Sequence, residues 1–285
     1  MKKKENKGVL YLVSTPIGNL KDITIRALET LRDVDFVAVE DMKRAKKLLS
    51  AYNIKGRIIG YREENRERAA KTITGYIDEG KNVALISDAG TPALSDPGDH
   101  LIKRCIEKGI TVVPIPGASS IICALTVSGL NISEFTFLGF LDRKGKKRGE
   151  QLSNLAVNRR TSVIFESPKR IVKTLTDILD VVGDRDAVIC RELTKLHEEV
   201  IRGSVLEIIG ELKEREEIKG EVVLIVSGGE DPKDNLDRDV VVDRVKKYVQ
   251  ENPGKKTKEV AKVLGAELGV SVREIYEITV KEREN

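Results

Sequence analysis

The sequence predicts two α/β domains followed by a small helical segment. Short β-branched runs alternate with helical patterns, the alternation starts afresh after residue 120, and residues 229–238 have the composition of a linker. Alternation of this kind is typical of a largely parallel sheet covered by helices. A chain of 285 residues is long enough for two such domains and an appendage.

Five apolar runs predict the strands of the first domain, residues 1–120. They are VLYLVS (9–14), FVAVE (36–40), RIIGY (57–61), VALIS (83–87) and TVVPI (111–115). Between the last two runs, Leu101, Cys105 and Ile106 recur at helical spacing, and Gly109 stands where a helix would end. We therefore expect strands and helices to alternate here.

Five further runs predict the strands of the second domain, residues 121–230. They are FTFLGFL (135–141), TSVIFES (161–167), DAVICREL (186–193), EVIRGSV (199–205) and VVLIVSG (222–228). Only TKLHE separates the third run from the fourth, a connection too short for a helical crossover. The second sheet is therefore expected to be mixed.

The last segment, residues 231–285, has a helical pattern. Val260 begins one apolar face, Gly269 breaks the pattern, and Ser271 with Glu274 forms a capping box ahead of a second helix. Two interpretations stay open: a helix-turn-helix that approaches nucleic acid, or a helical cap packed on the body.

Charge alone does not indicate the partner. The 50 basic residues nearly cancel the 46 acidic ones, which leaves a net charge of +4. Basic residues do cluster locally, as in DRKGKKRGE (142–150) and PGKKTK (253–258). Such clusters serve either as phosphate contacts or as solvated surface, and the sequence leaves both open.

The cysteines and the apolar runs indicate a reduced, soluble protein. Cys105, Cys123 and Cys190 form no C-x-x-C pair and have no His at ligand spacing, so no metal site is expected. The N-terminal residues are charged, and no apolar run reaches the length of a membrane span. We expect a cytoplasmic protein without membrane contact.

Several common enzyme motifs are missing. The sequence has no G-x-G-x-x-G, no G-x-x-x-x-G-K-[ST], no G-x-S-x-G and no H-E-x-x-H, and it contains only 2 His. Dinucleotide enzymes, P-loop NTPases and hydrolases built on a His base are therefore disfavoured.

Turns rich in Gly and Pro follow strands of the first domain. They are STPIGNLKDIT (14–24), SDAGTPALSDPG (87–98) and PIPGASS (114–120). Loops at the carboxyl ends of parallel strands surround the ligand crevice of an open α/β sheet. Gly lets backbone groups approach a ligand, and Pro keeps the loop rigid. These loops are therefore expected to form one binding site.

These loops, together with three charged motifs, resemble a known family. The motifs are STPIGNLKDIT, VEDMKR (39–44), SDAGTPALSDPG, PIPGASS, FESPKR (165–170) and RELTKLHEE (191–199). In this order they resemble the ribosomal small-subunit RNA methyltransferase I family of the tetrapyrrole methylase superfamily. The resemblance extends from residue 9 to about residue 228.

The resemblance implies a non-Rossmann S-adenosylmethionine enzyme with its cofactor in the cleft between two α/β domains. It implies 2′-O-methylation of a cytidine in the decoding region of 16S ribosomal RNA, with the RNA or the small ribosomal subunit as partner. A homodimer is also expected, because dimers are common in the superfamily.

The resemblance also assigns residues to the cofactor. The first domain would contribute Pro16, Gly18, Ser87, Asp88, Ala89, Gly90, Thr91, Pro116, Gly117, Ala118, Ser119 and Ser120. The second domain would contribute Phe165, Glu166, Leu193, Thr194, Gly220 and Glu221.

Charged residues at the expected strand ends are candidates for catalysis and for RNA binding. The base is left open among Glu40, Asp41, Glu166 and Glu192. The expected phosphate contacts are Arg44, Lys169, Arg170, Arg191 and Lys195, with a rim of Lys144, Lys146, Lys147 and Arg148. The alternative is that most of these residues form ion pairs that hold the domains.

Two other functions fit the motifs less well. Relatives that methylate tetrapyrroles usually carry a Gly-Pro-Gly turn and a Gly-Asp-Pro loop, whereas this chain has STPIG and SDAGTP. A non-catalytic RNA-binding assembly factor would not need intact cofactor loops. The sequence therefore favours an RNA methyltransferase.

Overall fold

The structure is a computed structural model that describes residues 7–94, 97–229, 238–268, 270 and 272–284. The first sheet has five strands, which are β1 (Val9–Val13), β2 (Phe36–Val39), β3 (Arg57–Gly60), β4 (Val83–Ile86) and β5 (Thr111–Ile115). Their order is β3-β2-β4-β1-β5, and every neighbouring pair is parallel. The carboxyl ends of these strands therefore meet at one edge.

Helices cover both faces of the first sheet. They are α1 (Ile25–Asp33), α2 (Met42–Ala51), α3 (Arg66–Asp78) and α4 (Asp99–Glu107). Helices α1 and α2 pack on one face and α3 and α4 on the other, in two separate apolar clusters. All residues of β4 are consequently buried, as expected for a strand covered on both sides.

The second sheet also has five strands. They are β6 (Phe135–Phe140), β7 (Thr161–Glu166), β8 (Asp186–Arg191), β9 (Glu199–Ser204) and β10 (Val222–Val226), in the order β6-β7-β10-β8-β9. Strands β6 and β7 are parallel, and the other pairs are antiparallel. The expectation of a mixed sheet is confirmed, and every strand predicted from the sequence is present within two residues of its expected bounds.

Helices on the two faces of this sheet come from different parts of the chain. On one face lie α6 (Lys146–Val157), α7 (Ile171–Val182) and α8 (Val205–Lys213). On the other lies α5 (Ser120–Ser128), which follows directly from the loop after β5. Arg202 of β9 donates hydrogen bonds to carbonyls at the end of α5, those of Val127 and Ser128. Helix α5 therefore connects the carboxyl edge of the first sheet to the second sheet.

Strand β6 contains a bulge. Phe137 pairs with Val163, but the next pair joins Gly139 to Ile164, so Leu138 is the extra residue. Gly139 has a φ of 63°, a left-handed conformation that glycine adopts without strain. The bulge changes which side chains share a face beyond it.

The C-terminal helices form a core of their own. They are α9 (Arg238–Glu251), α10 (Thr257–Leu268) and α11 (Val272–Glu284). Val245, Val260, Leu264 and Ile275 lie at the centre of their apolar cluster. Together with residues 157–160 and 228–229 they make one compact unit, and the two sheets belong to the other.

Some expectations on this region lie outside the described residues. Gly269, Ser271 and most of the linker-like stretch at 229–238 are among them. The division into domains 1–120, 121–230 and 231–285 stays a prediction. Among the described residues, no helix has both the length and the apolar character that a membrane crossing requires.

Candidate active site

Hydrogen bonds join the loops that follow β1, β4 and β5. Thr15 and Gly90 exchange two backbone hydrogen bonds, of 2.9 and 3.0 Å. The hydroxyl of Ser14 donates to Thr91 Oγ1 at 3.3 Å, and the hydroxyl of Thr91 lies 3.4 Å from the carbonyl oxygen of Ala118. The three loops expected to form one site therefore lie together as one surface.

Close packing shapes this surface. Gly90 has a φ of 77°, and a Cβ atom at Gly117 would come within 2.8 Å of Ser14 Cβ. The hydroxyl of Ser87 donates to the carbonyls of Ala89 and Gly90, which folds the loop back on itself. Ser87 therefore stabilises the conformation of its own loop.

The loop after β8 has a strained backbone. Glu192 and Thr194 have φ angles of 51° and 65°, which are uncommon for residues other than glycine. Lys195 Nζ lies 2.8 Å from a carboxylate oxygen of Glu192 and 3.0 Å from one of Glu221. The backbone N–H of Glu221 also donates to Glu192, at 2.8 Å. Strain of this kind is often found at functional sites.

The loop after β1 contacts this strained loop. The backbone N–H of Asn19 donates to Thr194 Oγ1 at 3.1 Å. A Cβ atom at Gly18 would lie 2.4 Å from Lys195 Cγ, so only glycine allows this approach. Ile17 and Leu193 belong to the same apolar cluster. Loops of the two sheets therefore contact one another directly.

A cavity of about 450 Å³ lies beside these loops. We call it the donor cavity, because the loops are those expected to bind the methyl donor. Its size is in the usual range of small-molecule sites. Among the residues expected to bind the cofactor, those that line it are Asp88, Ala89, Gly90, Thr91, Ser119, Ser120, Phe165, Glu166, Gly220 and Glu221. Those that do not line it are Pro16, Gly18, Ser87, Pro116, Gly117, Ala118, Leu193 and Thr194.

Sequence reasoning missed part of the lining. The missed residues are Leu94, Ile121, Phe140, Ser167, Pro168, Val222 and Val223. Leu94, Ser167 and Pro168 lie inside the motifs SDAGTPALSDPG and FESPKR. The neighbouring residues assigned to the cofactor could therefore have indicated them. Phe140 had no such signal, because its position depends on the bulge in β6.

Glu166 is a fully paired carboxylate. It accepts hydrogen bonds from the backbone N–H of Ser167, from Arg170 and from the hydroxyl of Thr174, at 2.7 to 2.9 Å. Burial alone would raise the pKa of Glu166, but these hydrogen bonds outweigh it and the pKa is lowered. A carboxylate held in this way is a poor proton acceptor.

Asp41 and Glu192 do not line the cavity, and both have partners. Asp41 caps helix α2 and accepts from the backbone N–H groups of Lys43 and Arg44, which lowers its pKa. The hydrogen bond from Lys195 lowers the pKa of Glu192, and the backbone N–H of Glu221 adds to it.

Glu40 differs from the other candidates. It lines the donor cavity, and no hydrogen bond to its carboxylate occurs among the described residues. Burial raises the pKa of Glu40, and the negative charge of Asp88 raises it further. Glu40 is therefore the candidate whose environment suits a general base.

Comparison with known proteins assigns the chain to a family. Residues 9–209 match the model of the Tetrapyrrole (Corrin/Porphyrin) Methylases. The chain is 42% identical over 279 residues to ribosomal RNA small subunit methyltransferase I of Halalkalibacterium halodurans, covering 96% of each chain. It is 47% identical over 223 residues to the protein of that name from Thermotoga maritima, covering 78% of this chain and 100% of the relative.

The chain belongs to the ribosomal RNA small subunit methyltransferase I family of tetrapyrrole methylases. Its fold is also that of uroporphyrin-III C-methyl transferase from Thermus thermophilus, solved in complex with S-adenyl homocysteine. That match has a TM-score of 0.57 at 18% identity and covers 77% of this chain and 97% of the other. At this identity the likeness concerns the fold alone.

The donor cavity of this family member is acidic. Its wall carries the carboxylates of Glu40, Asp88, Glu166 and Glu221 and the guanidinium of Arg44. Arg44 pairs with Asp88, Arg170 with Glu166 and Lys195 with Glu221, so Glu40 is the lining carboxylate without an ion pair among the described residues. A cationic ligand with hydrogen-bonding ends fits such a wall, and a pyrophosphate does not. The residues present therefore fit S-adenosylmethionine, which carries a positive sulfonium.

One expected RNA contact is wrong. Arg148 is only 7% exposed and points into the protein from α6. Its guanidinium donates to Asp177, to the carbonyl of Asp142 and to the hydroxyl of Thr174. With its donors satisfied internally, Arg148 is not free to bind a phosphate.

The other basic residues fall into two groups. Lys144 and Lys169 are exposed and make no hydrogen bond or ion pair with described residues. Lys146 and Lys147 are also exposed and form surface ion pairs with Glu150 and Asp142, at 3.7 and 3.2 Å. Ion pairs hold Arg44, Arg170, Arg191 and Lys195. For the second group, both interpretations stay open: these residues bind RNA phosphates, or they form ion pairs that hold the domains.

The strained loop gives a testable prediction at Gly220. Its φ is 95°, and a Cβ atom there would lie 2.4 to 2.5 Å from the side chain of Glu192. We expect Gly220→Ala to lower the free energy of unfolding by roughly 1–3 kcal/mol, as for other strained positions, and to weaken binding of S-adenosylhomocysteine. Urea denaturation and calorimetric titration measure the two effects.

Gly210→Ala is the matched control. Gly210 lies in α8 and is exposed, and a Cβ atom added there would meet no atom within 4 Å outside its own stretch of helix. Alanine there should stabilise the protein by about 0.5–1 kcal/mol without changing ligand affinity. Equal behaviour of the two variants would contradict the prediction.

Proposed function

We propose that the protein methylates the 2′-hydroxyl of a cytidine in the decoding region of 16S ribosomal RNA. The observation that carries the proposal is the identity of 42 to 47% to relatives named ribosomal RNA small subunit methyltransferase I. The donor cavity supports it, because Glu40 lines this cavity and its carboxylate accepts no hydrogen bond from the described residues. The substrate would be the RNA or the small ribosomal subunit, and the protein would act in the cytoplasm as a homodimer.

The cofactor of the family is S-adenosylmethionine, which supplies a methyl group on a positively charged sulfur. We assign its binding to the residues of the donor cavity. Asp88 and Glu221 offer carboxylate acceptors, the loop at Ala89 and Gly90 offers backbone groups, and Phe165 offers an apolar wall. These interactions would orient the donor and exclude water from the site.

Glu40 would accept the proton from the ribose hydroxyl. The raised pKa of Glu40 makes its carboxylate a stronger base, closer to what is needed at neutral pH. No hydrogen-bond donor among the described residues occupies this carboxylate. A positioned general base contributes about 10²–10⁴-fold to rate. Glu166 would hold Arg170 in place, because its oxygens already accept hydrogen bonds.

Tetrapyrrole methylation is less well supported. The similarity to the uroporphyrin enzyme is one of fold at 18% identity. Family folds host different reactions, so the acceptor has to be argued from closer relatives and from the site. Both favour RNA.

The decisive experiment is a methylation assay with labelled S-adenosylmethionine. Small ribosomal subunits from a strain that lacks the modification would be the substrate, and the labelled nucleotide would be mapped. Label on one cytidine ribose of the decoding region is expected. Binding of the donor without transfer to subunits or free RNA would contradict the proposal.

Replacing Glu40 tests the base. We expect Glu40→Gln to lower kcat by about 10²–10⁴-fold with donor affinity retained. In the wild type, kcat should fall as pH drops through the pKa of Glu40, because only the ionised carboxylate accepts a proton. Burial and Asp88 raise that pKa, so the fall should begin above the usual value for glutamate, 4.5.

Glu64→Gln is the matched control for charge. Glu64 is exposed, does not line the donor cavity and contributes a nearby negative charge to Glu40. Because Glu64 lies outside the cavity and has only a lesser charge effect on Glu40, its removal should leave kcat near that of the wild type at a pH where Glu40 is ionised. Unchanged turnover in Glu40→Gln would exclude Glu40 as the base.

The unpaired lysines can be tested through salt dependence. If Lys144 and Lys169 contact phosphates, the double alanine variant should bind RNA less tightly. The slope of log affinity against log salt should become shallower by roughly 0.7 for each lost contact with a single strand. Lys103→Ala, at an exposed position of α4, should leave the slope unchanged. An unaltered slope in the double variant would remove these lysines from the interface.

A further inference from the structure

A second cavity adjoins the donor cavity. Its volume is about 400 Å³, and its wall includes Phe140, Asp142, Arg143 and Arg170. The two cavities share Phe140, Glu166 and Ser167, so a ligand in one lies next to a ligand in the other. We call this second space the acceptor cavity.

Phe140 is unusual because it is a large aromatic residue left 57% exposed at the boundary of both cavities. The bulge in β6 places it there. Phe137 pairs with Val163 and Phe140 pairs with Phe165, so the extra residue brings both Phe side chains to the same face of the sheet. In a regular strand, residues three apart lie on opposite faces.

Neighbouring rings hold Phe140 in place. The centroid of Phe140 is 5.6 Å from that of Phe165, with the planes tilted by 58°. Phe165 in turn packs edge-on against Phe137, at 5.0 Å. Such contacts are within the favourable range for aromatic pairs. The ring of Phe140 is therefore supported on one side and open on another.

Charged groups face the same cavity. Arg143 is exposed and makes no hydrogen bond or ion pair with described residues. Arg170 is fixed by Glu166 and by the carbonyl of Leu141. Asp142 also lines the cavity, but Lys147 pairs with it at 3.2 Å. The wall therefore combines an open aromatic ring with an uncompensated positive charge.

We propose that the acceptor cavity receives the target nucleotide of the RNA, with its base stacked on Phe140 and its phosphate near Arg143 and Arg170. This inference rests on the proposed function and extends it to the acceptor. Proteins that recognise unpaired RNA bases stack them on aromatic side chains, and arginine suits the phosphate. The shared wall would bring the ribose of that nucleotide toward the donor cavity.

The experiment compares variants at two exposed Phe positions of β6. Phe140→Leu keeps an apolar wall for the donor cavity but removes the ring face. We expect it to raise the KM for small ribosomal subunits roughly 5- to 150-fold, the range given by loss of one base-stacking contact. Affinity for S-adenosylhomocysteine should stay near that of the wild type, and Phe140→Trp should restore the KM.

Phe135→Leu is the control. Phe135 is 40% exposed at the other end of the strand and lines neither cavity. Its KM should match that of the wild type. An unchanged KM in Phe140→Leu, or equal effects at both positions, would overturn the inference.

Two other outcomes have distinct meanings. If Phe140→Leu changes the oligomeric state in sedimentation and its KM follows that change, the ring belongs to an interface between copies and the inference is wrong. If the wild type methylates no subunit or RNA, the proposed function fails, and binding of a short unpaired RNA to the two variants still tests the acceptor cavity. Equal RNA affinity of the wild type and Phe140→Leu would overturn it.

Discussion

The binding surface depends on the two backbone hydrogen bonds between Thr15 and Gly90. They can form because β1 lies between β4 and β5 in a parallel sheet, which brings the loops after these strands to one edge. Side chains such as Ser14 and Thr91 then fasten the loops to each other. Backbone groups therefore form much of the wall, and that explains why small and rigid residues occupy these loops.

The same residue type has different roles around the donor cavity because its partners differ. Glu166 is buried but surrounded by donors, so it stays ionised and orients Arg170. Glu40 is partly buried with Asp88 nearby and has no donor of its own among the described residues, so its pKa moves in the opposite direction. Among the described lining residues, Glu40 is therefore the carboxylate that remains able to take up a proton.

The strands, the mixed second sheet and the joined loops follow from local signals that a sequence displays, namely alternation and Gly/Pro turns. Glu40 is among the candidate bases that the sequence offers. Only the hydrogen-bond partners seen in the structure distinguish it from Glu166. Arg148 looked like part of a basic run, yet helix α6 turns it inward on the face of Leu152 and Leu155. Phe140 was missed because a one-residue bulge reverses the face of every side chain beyond it.

The positions of β1 and β10 also determine when the protein can fold during synthesis. Strand β1 is made well before its partners β4 and β5, which begin at Val83 and Thr111. Strand β10 fills the gap between β7 and β8, and it begins at Val222. Such non-local pairing slows folding. A nascent chain that ends before Val222 leaves the inner edges of β7 and β8 unpaired, so the second sheet closes only after β10 has been made.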